Sequence, residues 1–170
     1  GVPAHLDPAY WLPDELNENV ARQMINAIFA VPTVSVDWEL LPQEHLQIVN
    51  AWLGFYHEHL DVLAHGQFRP FMASGSLPAL LLQREGEVVL GVFSEAVPPI
   101  CLSPDTEELY VLNGANDEQV RLWLDGVEGE YVGEVYGLFH EKVGQVEPGT
   151  LDTLRMRVPV GGYALLRRAS

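Results

Sequence analysis

"AVPTVSVDWELLPQEH", residues 30–45, is the stretch on which the fold turns. Its middle, Val31 to Trp38, reads as a strand, because Val34, Val36 and Trp38 are apolar at alternate positions with Thr33 and Ser35 between them. The residues on both sides read as helices. Upstream, Leu16, Val20, Met24, Ile25 and Ile28 recur at helical spacing. Asp14 after Pro13 offers a helix start, and Pro32 forbids continuation past "FAVP". Downstream, Pro42 suits a first helical turn. Val49, Trp52, Leu53, Tyr56, Leu60 and Leu63 form a wide apolar stripe that stops at Gly66. A lone strand between two helices needs neighbours.

The second half does not offer parallel ones. From Gly66 onward the texture is β. "LPALLLQRE" and "EVVLGVFSE" flank the turn-like "EGE" and read as a hairpin. "EELYVLNG", "EQVRLWLD", "GEYVGEVYGLFH", "DTLRMRVP" and "GYALLRR" follow at short intervals, with turns at Gly114, Asp125-Gly126, Pro148-Gly149 and Gly161-Gly162. Short strands at this spacing predict an antiparallel sandwich. The inward face of "VRLWL" stays open, since Arg121 and Trp123 alternate with Val120, Leu122 and Leu124. Helix–strand–helix is the grammar of βα repeats, whose parallel strands need partners on both sides. The expectation is therefore that the partners lie upstream of this chain. The opening "GVPAHLDP" lacks an initiator methionine, which fits an excised piece and equally a processed mature chain.

Composition narrows the functional classes. The chain has 170 residues, is 48% hydrophobic and carries a formal net charge of −15. That charge argues against nucleic acid and against anionic membrane surfaces. No apolar run reaches the length of a membrane span, and no charged-then-apolar leader precedes the first helix. Cys101 is the one cysteine, so no internal disulfide forms. A reducing, cytoplasmic location is expected.

The order of these elements resembles the C-terminal end of the alpha-galactosidase (melibiase-like) glycoside hydrolases, family 36 and its relatives. "HLDPAYWLPDELNENVARQMINAIFAVPTVSVDWELLP" looks like the last barrel segment of that family. "EHLQIVNAWLGFYHEHLDVLAHGQFRP" looks like its last barrel helix and exit peptide, and the part closing on "VPVGGYALLRR" is similar to its C-terminal sandwich. The resemblance implies an α/β barrel tail, the last helix–strand–helix of a TIM-type barrel, at residues 1–65. An all-β antiparallel sandwich would follow at residues 66–170, so the chain is α+β as a whole. It further implies a retaining hydrolase that removes terminal α-linked galactose without a cofactor. Such enzymes use two carboxylates about 5 Å apart, and in this family both lie on earlier barrel strands. The chain alone is expected to be inactive.

By the same resemblance His5, Asp7, Tyr10 and Trp11 fall in the loop after the seventh strand, at the mouth of the barrel, where substrate binds. An aromatic ring can pack on the apolar face of a sugar, and imidazole or carboxylate can hydrogen-bond its hydroxyls. The plainer alternative is that Tyr10 and Trp11 fill core space and Asp7 makes a turn before Pro8. Asp37 and Trp38 face the same mouth by resemblance, but Asp37 fits a strand-end cap better.

His57 and His59 are two apart, hence on different helix faces, and cannot chelate together. His57 and Asp61 are four apart and could pair. No metal-ligand spacing is present. Glu107-Glu108, Asp117-Glu118, Glu128 and Glu130 read as solvated turns in so acidic a chain, and Cys101 reads as a buried inert thiol. "VGGY" reads as a hairpin turn. A competing class is a non-catalytic β-sandwich that binds carbohydrate or a protein, with Tyr131, Tyr136, Trp123 and Phe139 as candidate exposed aromatics. Isolated from a barrel, residues 1–65 would expose apolar surface, so the chain is expected to self-associate.

Overall fold

A computed structural model describes residues 7–73 and 75–169. Among these residues the fold is mixed α+β, with three helices followed by a large antiparallel-rich sheet. Helix α1 is Asn17–Ile28, with Val20, Ala21, Met24, Ile25, Ala27 and Ile28 buried. It begins three residues after Asp14, which sits in a turn and does not cap it. The single helix expected up to Gly66 is two pieces, α2 at Gln43–Glu58 and α3 at Leu60–His65. The break falls at His59, with φ −104° and ψ 22°. A tertiary contact accounts for it, since His59 Nδ1 meets Glu87 Oε1 at 2.5 Å and the ring leans on Tyr110.

The stretch expected as a strand, Val31 to Trp38, is not one. It makes a single parallel bridge, between Val34 and Ala9. Ala9 N–H donates to the Thr33 carbonyl and Ser35 N–H to the Ala9 carbonyl, at 2.8 and 2.9 Å. The side chains still alternate, with Val34 and Val36 packed on the helical core and Thr33 and Ser35 outward. The pleat is therefore present. The ladder is missing because, among the described residues, only Ala9 lies beside it.

The strands run β1 Gln67–Ala73, β2 Ser76–Arg84, β3 Glu87–Val92, β4 Ile100–Cys101, β5 Glu108–Asn113 and β6 Gln119–Leu122. They continue with β7 Leu124–Asp125, β8 Tyr131–Tyr136, β9 Lys142–Gly149, β10 Leu154–Arg157 and β11 Tyr163–Arg168. Seven form one sheet in the order β1-β2-β3-β5-β11-β8-β9. The predicted β2–β3 hairpin forms, closed by Glu85 and Gly86, both at positive φ as a tight two-residue turn requires. The expectation of purely antiparallel pairing is corrected at two places. β3 pairs β5 in parallel, and so does β4 with β7. Parallel neighbours need a long crossover. Residues 93–107 supply it, running under the sheet and contributing β4 on the way.

The central strands are buried on both faces. Leu80, Leu82, Val89, Tyr110, Leu112 and Leu165 point to the helices. Leu81, Val88, Leu90, Leu109, Val111 and Leu166 point the other way, onto the two small sheets β6–β10 and β4–β7. This explains why "LPALLLQ" and "EVVLGV" read as unbroken apolar runs. It also settles the ambiguous strand, for Val120, Leu122 and Leu124 are inside, with Arg121 and Trp123 outside. Gly161-Gly162 is not a hairpin turn, because β10 and β11 belong to different sheets. It carries the chain between layers, and Gly161 adopts φ +76° where a Cβ would meet Ala21 Cβ at 2.5 Å. Among the described residues no helix is long and apolar enough to cross a membrane.

An aromatic cluster joins α2 to the sheet. Phe55 lies 5.4 Å from Tyr163 and 5.6 Å from Tyr110, centroid to centroid. Trp52, fully buried, meets His140 edge-on at 4.5 Å. His140 belongs to the β8–β9 loop, with φ 63° and a buried Nε2 that has no partner. Replacing Trp52 by Ala removes the largest wedge in this seam and is expected to cost about 3–5 kcal/mol in urea unfolding.

Burial also pushes the His140 imidazole down to about 4 from an ordinary 6.5. Between those values the unfolded chain holds the extra proton. Stability from this group is therefore complete above pH 6.5 and lost as pH falls toward 4, by up to about 3 kcal/mol. A His140→Asn variant keeps a residue that tolerates positive φ and should show a flatter decline in unfolding free energy from pH 7 to pH 4. Parallel declines in the two proteins would contradict this.

Candidate functional site

The N-terminal loop and α1 build a concave surface against the sheet. Residues 7–9 run beside the 33–35 segment, and α1 crosses over to connect them. Between this unit and the ends of β2 and β3 lies a groove of ≈ 390 Å³. Its polar wall is Asp7, Gln23 and Asn26, and its apolar wall includes Phe29, Leu77 and Phe93. Phe29 and Phe93 meet edge-on at 6.2 Å. Gln23 and Asn26 are three apart on α1, so they share one helix face. Gln23 Oε1 also accepts from Tyr10 N–H at 3.1 Å, fixing the loop to the helix.

The four residues singled out in this loop separate. His5 lies outside the described residues. Asp7 is exposed at the groove, and Tyr10 is 61% exposed. Trp11 is 3% exposed and belongs to the helical core, edge-on to His45 at 6.5 Å. His45 Nε2 donates to the Glu15 carbonyl at 3.0 Å, which pins the loop before α1 to the start of α2. Trp11 Nε1 and His45 Nδ1 are both buried without a partner. Beside them the Asn19 amide holds the Glu15 carboxyl below the usual carboxylate range. Asp37 accepts from Glu39 N–H at 3.3 Å, as a turn cap does, and Trp38 is 48% exposed. Gln23 and Asn26 escaped notice in the sequence because amides on a helix carry no motif. Their three-residue spacing opposite the apolar stripe was the available signal.

Chemically the groove offers one carboxylate and two amides. That set can orient hydroxyls but contains no acid/base pair. Among the described residues no group of three or more His, Cys, Asp or Glu is placed to hold a metal. His57 does not pair with Asp61, which takes Arg84 at 2.7 Å and His65 at 3.5 Å. Cys101 is exposed and not buried as expected, because its two-residue strand lies at the rim of the small sheet with Ile100 turned inward. The acidic residues read as solvated turns are partly ion-paired, with Glu107, Glu108 and Glu118 meeting Arg168, Arg167 and Arg157. Of the sandwich aromatics, Tyr131 is buried and donates to the Thr106 carbonyl at 2.6 Å, and Tyr136 stacks on Tyr163. Phe139 and Trp123 are exposed. No protein-family model, curated protein or solved structure matches this chain.

Tyr10, Leu12, Leu16, Val31, Trp38 and Leu40 all expose large apolar surface on or near the loop and crossover. Exposed apolar surface promotes association. Sedimentation velocity is expected to show dimers or larger species whose share grows with concentration. Changing Tyr10, Val31 and Leu40 together to Ser should return the chain to monomer, whereas a wild-type monomer at high concentration would refute the expectation.

Proposed function

We propose that this chain is the C-terminal portion of a retaining glycoside hydrolase of the alpha-galactosidase kind. Residues 1–65 would close a (β/α)₈ barrel and residues 66–170 would form the sandwich that follows it. The observation that carries the reading is the parallel bridge between Ala9 and Val34 across α1. A strand segment, a helix and a second parallel segment make one βα crossover, the unit from which such barrels are built. The apolar side chains exposed around that unit support it, since neighbouring barrel elements would cover them.

On this reading the catalytic carboxylates are supplied upstream, one as nucleophile and one as acid/base. This chain contributes the rim. Asp7 would accept from sugar hydroxyls, and the Tyr10 ring would lie against a sugar face. Trp11 and His45 hold the loop in place from beneath. The sandwich packs on the barrel and stiffens its closing helix.

A second reading, a non-catalytic module that binds carbohydrate or protein, is favoured by Trp123, which is 50% exposed on the outer layer. The two separate cleanly. On a denaturing blot of the native source, an antibody to this chain should detect a band several times heavier than 18.9 kDa. That larger protein should hydrolyse aryl α-galactosides. A band at the chain's own size, or a large protein inert on every aryl α-glycoside, removes the hydrolase reading in favour of the module.

A further inference from the structure

The outer face of the β6–β10 sheet carries an arrangement that the fold does not use. Arg121 and Arg155 stand directly opposite each other across the antiparallel pair. Both are exposed, and among the described residues neither has a hydrogen-bond or ion-pair partner. Every other lysine and arginine meets a carboxylate, an amide or a carbonyl. The chain has 24 Asp and Glu against 9 Lys and Arg, so carboxylate partners are abundant. Like charges directly opposite across strands destabilise a sheet. Two arginines opposite each other without a carboxylate partner, in a protein of charge −15, leave this face open to an outside anion.

What stands beside them fixes the kind of anion. Trp123 follows Arg121 by two positions, on the same outward side, about 6–7 Å along the strand. That is the span of one sugar ring. The ladder ends at Leu154 and Leu122, and just beyond it Leu124 N–H donates to the Asp152 carbonyl at 3.3 Å, which keeps the Thr153 segment beside that of Trp123. Alongside β10 runs a groove of ≈ 400 Å³ whose lining sets Gln145, Glu147, Thr153 and Arg155 beside apolar Leu154 and Met156. A flat indole, two arginines opposite each other across the strand pair and neighbouring hydroxyl and amide groups match a ring with an apolar face, one carboxylate and several hydroxyls.

We propose that this face binds an acidic carbohydrate through a uronic acid residue. Arg121 and Arg155 clamp its carboxylate, Trp123 packs on its ring, and Thr153 and Gln145 take its hydroxyls. A flat exposed indole beside the charges favours a sugar ring over an acidic peptide, whose binding is the alternative the titration separates. The inference does not depend on the hydrolase reading and would hold for a module as well.

The test is a titration of the chain with trigalacturonate, neutral galactotriose and hexaglutamate, followed by the indole N–H resonances and by calorimetry. Trigalacturonate should shift the Trp123 indole signal and leave those of buried Trp11 and Trp52 in place. Galactotriose and hexaglutamate should bind at least about tenfold more weakly. Arg121→Ala, Arg155→Ala and Trp123→Ala should each weaken trigalacturonate about tenfold or more. Without ligand, either arginine variant should unfold at the same temperature or higher, because a like-charge contact is gone. Absent binding, binding indifferent to these three variants, or hexaglutamate bound as tightly as trigalacturonate would each overturn the proposal.

Discussion

Burial of the central sheet on both faces is the constraint from which the rest follows. A sheet of β2, β3, β5 and β11 with apolar side chains on each side has two surfaces to remove from water. The helices cover one and the small sheets the other. At roughly 25 cal/mol per Å² of apolar area, leaving either face open would forfeit much of the driving force. The seam between α2 and the sheet concentrates that burial in Trp52, Phe55, Tyr110 and Tyr163. His140 is drawn into the same seam as a neutral ring, and His59 is drawn toward Glu87, which breaks the second helix.

The same constraint places the candidate site. Because α1 is held on the sheet by Val20, Met24 and Ile28, the residues it joins, Ala9 and Val34, are brought side by side. The groove forms where their loop meets the ends of β2 and β3. Its polar groups come from the loop and from the flank of α1, not from the core. Asp7 can accept and the two amides can both accept and donate. The groove's lining holds no pair of carboxylates.

Charge is distributed unevenly over this framework. Arg167 and Arg168 near the C-terminus are tied to Glu108 and Glu107, so the last strand is fastened electrostatically as well as by its ladder. Such exposed pairs are worth little individually. Their meaning lies in contrast with Arg121 and Arg155, which face each other without counterions on a layer whose inner side is fully apolar. The small sheet thus has a structural side and a side left for solvent or a ligand.

Periodicity made several elements legible. The 3.6-residue recurrence of Val20, Met24 and Ile28 and the "EGE" turn between two apolar runs each have a local cause, and each appears where expected. The alternation at Val34 and Val36 correctly gave the direction of those side chains. A strand, however, is a property of two chain segments, so residues 31–38 cannot form a ladder from their own pattern when one residue, Ala9, lies alongside. The parallel β3–β5 pair and the exposure of Cys101 escaped the sequence for the same reason. Each depends on which distant segment arrives as a neighbour. The opposition of Arg121 to Arg155 is the clearest case, being set by a register between residues 34 positions apart. Local pattern determined which side chains would turn inward together, and tertiary structure alone decided what they would meet, because contact across layers is fixed by packing and not by spacing along the chain.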